Sequence, residues 1–297
     1  MVVRIARPTF LSGRLPARAC ASVAVAPGVL AVAVAPSRRE PSWRRYRVRL
    51  AGDDVRVGIA NTNLRAPSAV SFALKGLWNE AGLQKRRVES VSLIVPDQVV
   101  RLAAVPLDGR EPGFAEGEAM ARWALRDLVP LQPEACRIDW AALSNETSPG
   151  AHDWLLAIAA AAEVVREYER VVEGFGLPVG RVVPMSLALA AGAPRALPAE
   201  PATARLVLCE VGGLIAGLIE ADGVPRFHRA WRRPPADLEA ELRMIDRYLQ
   251  QRLGLTIAEA TVAGGKRWRE GAIRACEQLG WHASSASRWA AHRGASR

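Results

Sequence analysis

One order of predicted elements occurs twice in this chain, and that repeat limits the fold more than any single motif. "ASVAVAPGVLAVAVAPS" (21–37) reads as two apolar strands about Pro27-Gly28, and "YRVRLAG" (46–52) as a third. "PSAVSFALKGLWNEAGL" (67–83) places Val70, Leu74, Leu77, Trp78 and Ala81 on one helical face, with Pro67 in its first turn and Gly82 at its end. "SVSLIVP" (90–96) is a fourth strand. In the second half, "RLVLCEV" and "LIAGLIEA" form a hairpin about Gly212-Gly213, and "PRFHRAW" (225–231) supplies a third strand. "ADLEAELRMIDRYLQQRLG" (236–254) spaces Leu238, Leu242, Ile245, Leu249 and Leu253 four and three apart, and "EATVAGG" (259–265) is again a strand. Both halves run strand, strand, strand, helix, strand, which predicts two similar α/β lobes.

Between them lies a different unit. "DQVVRLAAVPL" (97–107) reads as a strand, and "FAEGEAMARWALRDLVP" (114–130) as a helix stopped by Pro130. "CRIDWAALS" (136–144) and "DWLLAIAAA" (153–161) pair as strands across a polar loop. "EVVREYERVVEGFG" (163–176) is amphipathic, with Val164, Tyr168, Val171, Val172 and Phe175 inward. The first lobe is then 20–96 with 176–192, the α+β insert 97–175, and the second lobe 205–285. "APRALPAEPATA" (193–204) is the linker between lobes. Residues 1–19 are expected to be a disordered basic leader, because Arg14, Pro16 and Arg18 break the apolar run that a signal peptide needs. After a further helix and short strand, 286–297 is expected to be a frayed basic tail.

Charge and composition exclude several classes. The net charge of +10 is concentrated at the ends: residues 1–50 carry +9 and 266–297 carry +5, which leaves the middle at −4. Such ends suit anionic lipid or an acidic partner. The excess of 37 Arg over 3 Lys suits somewhat better a GC-rich genome, with tails that only keep the protein soluble. No window approaches the 18 apolar residues of a membrane span. Cys20, Cys136, Cys209 and Cys276, like the four histidines, are scattered and match no zinc spacing, so no metal site is expected. No Ser/His/Asp set, Cys/His pair or P-loop is present; in "GKRWRE" an Arg follows the Lys where Ser or Thr is required.

Paired lobes of this order resemble the actin-like ATPases, whose two lobes are ribonuclease-H-like. The middle sharpens the likeness. "VPD" before an Arg-bearing strand, an Arg-Trp helix closing on Leu-Val-Pro-Leu, an Ile-Asp-Trp strand and "EVVREYERVVEGFGL" resemble, in that order, PilM-type proteins of the type IV pilus inner-membrane platform. These are related to the cytoplasmic domain of GspL proteins of type II secretion. The resemblance covers about 20–265. It implies an actin-like fold with a subdomain inserted in the first lobe, and a cytoplasmic scaffold at the inner membrane. It also implies a PilN-type bitopic partner whose N-terminal peptide sits in a groove between the first lobe and the insert. Asp97 and Arg101, at the start of the insert, are the partner-binding candidates, although a surface ion pair or a turn cap is the simpler account of them.

Actin-like chemistry needs a glycine hairpin in each lobe to hold phosphates, and an Asp on each to organise Mg²⁺. In the second lobe Glu210 takes the Asp place before Gly212 and Gly213, and Gly264-Gly265 is the candidate base-side turn. In the first-lobe hairpin no carboxylate is present: Ala24 or Ala26 stands where the Asp is expected, and Pro27 removes a donor. The lid subdomain is also missing, since only "RRPPAD" joins the third strand to the helix. The expectation is a degenerate site with no catalytic residues, and no cofactor. A working ATPase or sugar-kinase relative using Glu210 and Gly264-Gly265 with Mg-ATP is the alternative. A third reading is nucleic-acid binding through "RREPSWRRYRVR" (38–49), in which Trp43 and Tyr46 are interleaved with Arg; its position on a strand favours a merely solvated face.

Overall fold

The computed structural model describes residues 19–35, 44–85, 88–143, 152–193, 202–232 and 238–286. The expected leader and tail, and most of the expected linker, lie outside these residues. The chain divides into two compact units, one of residues 1–101, 118–141 and 157–185, the other of 102–117, 142–156 and 186–297. Elements of the insert expected at 97–175 are distributed between them.

The first unit is built on a five-stranded mixed sheet. Strands β1 (Ala19–Ala26), β2 (Val29–Val34) and β3 (Arg44–Arg49) are antiparallel, while β4 (Val88–Val95) and β8 (Val179–Pro184) add in parallel, giving the order β3-β2-β1-β4-β8. Alternation in the sequence decides the faces. Val23, Val25, Leu30, Val32, Val34, Val91, Leu93 and Val95 are all buried on one side. Helices α1 (Pro67–Glu80) and α3 (Ala162–Glu173) supply Val70, Leu74, Leu77, Trp78, Val164 and Tyr168 to the buried interior. Each such side chain contributes about 1.5–3 kcal/mol on burial. Two polar ties fix α3. The Glu167 carboxylate accepts from the backbone N–H of Asn63 at 2.7 Å and of Leu64 at 3.3 Å, and Arg137 donates two bonds to Glu169, at 2.6 and 2.7 Å.

The second unit repeats the topology. Strands β9 (Thr203–Val211), β10 (Leu214–Ala221), β11 (Val224–Arg232), β12 (Thr256–Ala263) and β13 (His282–Ser285) run in the order β11-β10-β9-β12-β13. Helices α5 (Leu238–Leu253) and α6 (Lys266–Gln278) close one face over Leu206, Leu208, Ile215, Ile219, Ala260 and Val262. On the other face Val207, Cys209, Ala216 and Leu218 are also buried. A charged group is buried there too. Arg205 donates to the Glu220 carboxylate and to the carbonyls of Ala190 and Ala193, at 3.4 and 2.9 Å, and its Nε lies 4.0 Å from Glu259. Helix α4 (Met185–Gly192), which the sequence attaches to the first lobe, thus has its C-terminal carbonyls bound by a side chain of the second unit.

The remaining strands, β5 (Val100–Gly109), β6 (Cys136–Leu143) and β7 (His152–Ala161), form a third sheet in the order β5-β7-β6. Helix α2 (Phe114–Leu125) ends before Pro130 and continues as hydrogen-bonded turns to Val129. The strand expected from residue 97 begins instead at Val100, after a 3₁₀ turn over Asp97–Val99. The short turn answers Pro96, whose ring sets the chain into an extended approach.

Candidate functional site

Each lobe carries a glycine-containing hairpin. In the second lobe β9 and β10 pair Val211 with Leu214, so Gly212 and Gly213 are the two central residues of the turn. Both have positive φ, 57° and 78°. A two-residue turn with two left-handed positions is type I′, the one whose twist suits a hairpin, and glycine meets its demand without a bound nucleotide. The next hairpin supports this. Asp222 and Gly223, between β10 and β11, take φ of 52° and 77° for the same purpose. The Glu210 carboxylate folds back onto its own turn and accepts the Gly213 N–H at 2.9 Å. A donor that would face a phosphate is therefore occupied by the carboxylate expected to serve Mg²⁺.

Gly264 sits at the end of β12, with Gly265 capping α6. A Cβ at Gly264 would stand 2.7 Å from Cε3 of Trp268 and 3.3 Å from the carbonyl oxygen of Glu210. The open side of this glycine is thus filled by an indole one turn into α6. Arg269 donates to the Gly264 carbonyl at 3.2 Å and fixes the same corner. The second lobe therefore brings the Glu210 backbone and Gly264 together, with the Trp268 indole packed against Gly264. Sequence reasoning missed Trp268; its place three residues after Gly265 was the available signal.

In the first lobe β1 and β2 pair Ala26 with Val29, leaving Pro27 and Gly28 as the turn. Gly28 has φ 74° after a proline, which is the type II arrangement. Matching the two hairpins through their last paired residues, Ala26 with Val211, puts Val25 opposite Glu210. The position is thus one residue away from both Ala24 and Ala26. Val25 is fully buried in the sheet's core face, so this hairpin brings neither a carboxylate nor a vacant place for one.

Asp97 is buried at 2 % exposure within the 3₁₀ turn. Arg101 is half-buried and directs Nη1 to the carbonyls of Val100 and Gln98, at 2.8 and 3.4 Å. Burial pulls its guanidinium pKa below the ordinary value. Both residues are built into the bend from which β5 departs.

Five residues, 233–237, separate β11 from α5; they lie outside the described residues and are too few to form a lid subdomain. Among the described residues no cluster of three or more His, Cys, Asp or Glu could hold a metal. No described helix is long and apolar enough to cross a membrane.

No family model matches the chain, and no curated protein matches it. Solved structures do. A chain of a PilM–PilN type IV pilus biogenesis complex is similar over 91 % of this chain and 88 % of its own, with a TM-score of 0.68 at 16 % identity. A Bacteroides thetaiotaomicron protein of unknown function with an actin-like ATPase fold covers 91 % of each chain, at TM-score 0.55 and 8 % identity. The cytoplasmic domain of EpsL, an inner-membrane component of the Vibrio cholerae type II secretion system, covers 83 % of this chain and 82 % of its own, at TM-score 0.50 and 13 % identity. The chain has the actin-like fold, α/β with an α+β insertion, shared with a chain of the PilM–PilN complex and the cytoplasmic domain of EpsL.

Proposed function

We propose that this protein is a non-catalytic, cytoplasmic scaffold of a type IV pilus or type II secretion-like platform, peripheral to the inner membrane. It holds the cytoplasmic N-terminal peptide of a PilN-type bitopic partner. The observation that carries the reading is the likeness to a chain of a PilM–PilN complex along 91 % of this chain. The two hairpins support the absence of turnover. One has Val25 where the other has Glu210, and Glu210 itself is bonded to its own turn. Phosphate transfer needs positioned charge on both sides of the phosphates, and the first-lobe hairpin carries no carboxylate. Asp97 and Arg101, at the bend before β5, remain the candidates for contact with that peptide.

Co-expression tests the scaffold reading. The full chain is expected to float with membranes when the PilN-type protein of the same genome is present with its N-terminal peptide. It is expected to remain in the supernatant when that peptide is deleted. Equal distribution in both cases overturns the assignment.

Nucleotide independence has its own test. Millimolar Mg-ATP is expected to leave the thermal midpoint unchanged. A site filled at a hundred times its dissociation constant would stabilise by about 2.7 kcal/mol. That corresponds to a shift of several degrees, about 2–4 °C per kcal/mol for chains of roughly this size. A shift of that magnitude would restore the ATPase reading.

A further inference from the structure

The two sheets share a topology but differ on one face. In the second unit Val207, Cys209, Ala216 and Leu218 are buried, and helix α4 reaches that face through carbonyls bound by Arg205. Matched through the hairpins, the corresponding residues of the first unit are Ser22, Ala24, Ala31 and Ala33. These are small, only half-buried, and floor a trough of about 390 Å³. Their register puts Ser22 and Ala24 on β1 beside Ala33 and Ala31 on β2, while Ile94 of β4 forms one wall. The other wall is β3, where Arg45 and Arg47 pair with Ala33 and Ala31. Arg45, Arg47 and Arg49 are exposed, and none forms an ion pair among the described residues.

We infer that this trough is a docking site for an acidic amphipathic helix of a partner protein. Three observations fit that occupant. The floor is two strands wide, about 10 Å at the usual strand spacing. That is close to the roughly 10–12 Å diameter of a helix with its side chains, and alanines let a helix approach closely. β1 and β4 are parallel neighbours, and parallel strands are ordinarily covered on both faces. The basic wall selects the charge. Arg45 and Arg47 lie about 7 Å apart along the strand. Carboxylates four residues apart on a helix, about 6 Å along its axis, meet them in register. The chain's own terminal segments carry the wrong sign: residues 1–18 and 287–297 contain seven arginines and no carboxylate. This surface adds to the peptide-binding role proposed above and does not depend on it.

The probe is a fluorescein-labelled 18-residue helical peptide with a leucine face flanked by Glu at every fourth position, titrated into the full-length protein by fluorescence anisotropy. The expected result is saturable binding that weakens with salt and falls at least tenfold in R45E/R47E. These are exposed edge-strand changes that should leave the circular dichroism melt in place. Ala33→Phe, which fills the floor, is expected to abolish binding as well. A charge-reversed Lys peptide should not bind. Any of four results overturns the proposal: no binding of the Glu peptide, binding unchanged in R45E/R47E, binding that appears only after deletion of 286–297, or displacement of the peptide by single-stranded DNA at equal concentration. The third would assign the trough to the chain's own end, and the fourth to nucleic acid.

Discussion

Replacing Arg205 with methionine is expected to destabilise the protein by about 3–5 kcal/mol, the usual cost of removing one partner from a buried ion pair. Arg205 and Glu220 have side chains only 6 % and 9 % exposed, and Glu259 lies on the same guanidinium. The substitution takes the guanidinium from the buried Glu220 carboxylate and removes the Arg205 donor from the Ala193 carbonyl, while the Ala190 carbonyl keeps the Ala193 N–H. The thermal midpoint should fall by roughly 6–20 °C, at about 2–4 °C per kcal/mol. The double variant R205M/E220M should recover most of the loss, because a buried pair exchanged for packed apolar groups is often near neutral. A midpoint within 2 °C of the parent for R205M alone would mean that this cluster is not buried in solution.

Gly264→Val is the second large effect, and it separates two explanations of one glycine. The new Cβ would begin 2.7 Å from the Trp268 ring, with the Glu210 carbonyl 3.3 Å away on the other side. The indole must turn out of its packing against the second-lobe core, to which it contributes. Overpacking of this kind costs about 1–3 kcal/mol, and the branched valine belongs at the upper end. In the background Trp268→Ala the same change should cost less, with a coupling of about 0.5–3 kcal/mol between the two sites. A glycine retained for a nucleotide predicts the opposite: unchanged stability, no coupling to Trp268, and loss of Mg-ATP binding alone. Chemical denaturation of the four proteins decides between them.

Much of the fold was legible because strand alternation and helical spacing both act locally. Val23, Val25, Leu30 and Val32 alternate, so the core face of the first sheet follows from the sequence. Leu242, Ile245 and Leu249 repeat at helical spacing, and α5 buries those three. The hairpin glycines at 212 and 213 were equally visible, but their reason was not. A positive φ at each depends on the two-residue register, which the sequence does not state. The same register moves the counterpart of Glu210 from Ala24 or Ala26 to Val25. Contacts distant in sequence were the least legible. Nothing in the pattern pairs Arg205 with Glu220 and with the end of α4, since burial of charge is a tertiary decision. Trp268 over Gly264 is nearer in sequence, yet its direction depends on how α6 leaves the strand. Asp97 and Arg101 stood at a promising junction; Asp97 is buried in the 3₁₀ turn, and the Arg101 guanidinium is bonded to carbonyls of the bend.

The most direct test of the account is calorimetric titration of the purified chain with the cytoplasmic N-terminal peptide of the PilN-type protein from the same genome, run with and without millimolar Mg-ATP. The account predicts saturable binding with the same dissociation constant in both, because the first-lobe hairpin has no carboxylate and the second-lobe carboxylate is bonded to its own turn. No heat of binding in either condition, or binding that appears only with Mg-ATP, would contradict a nucleotide-independent scaffold.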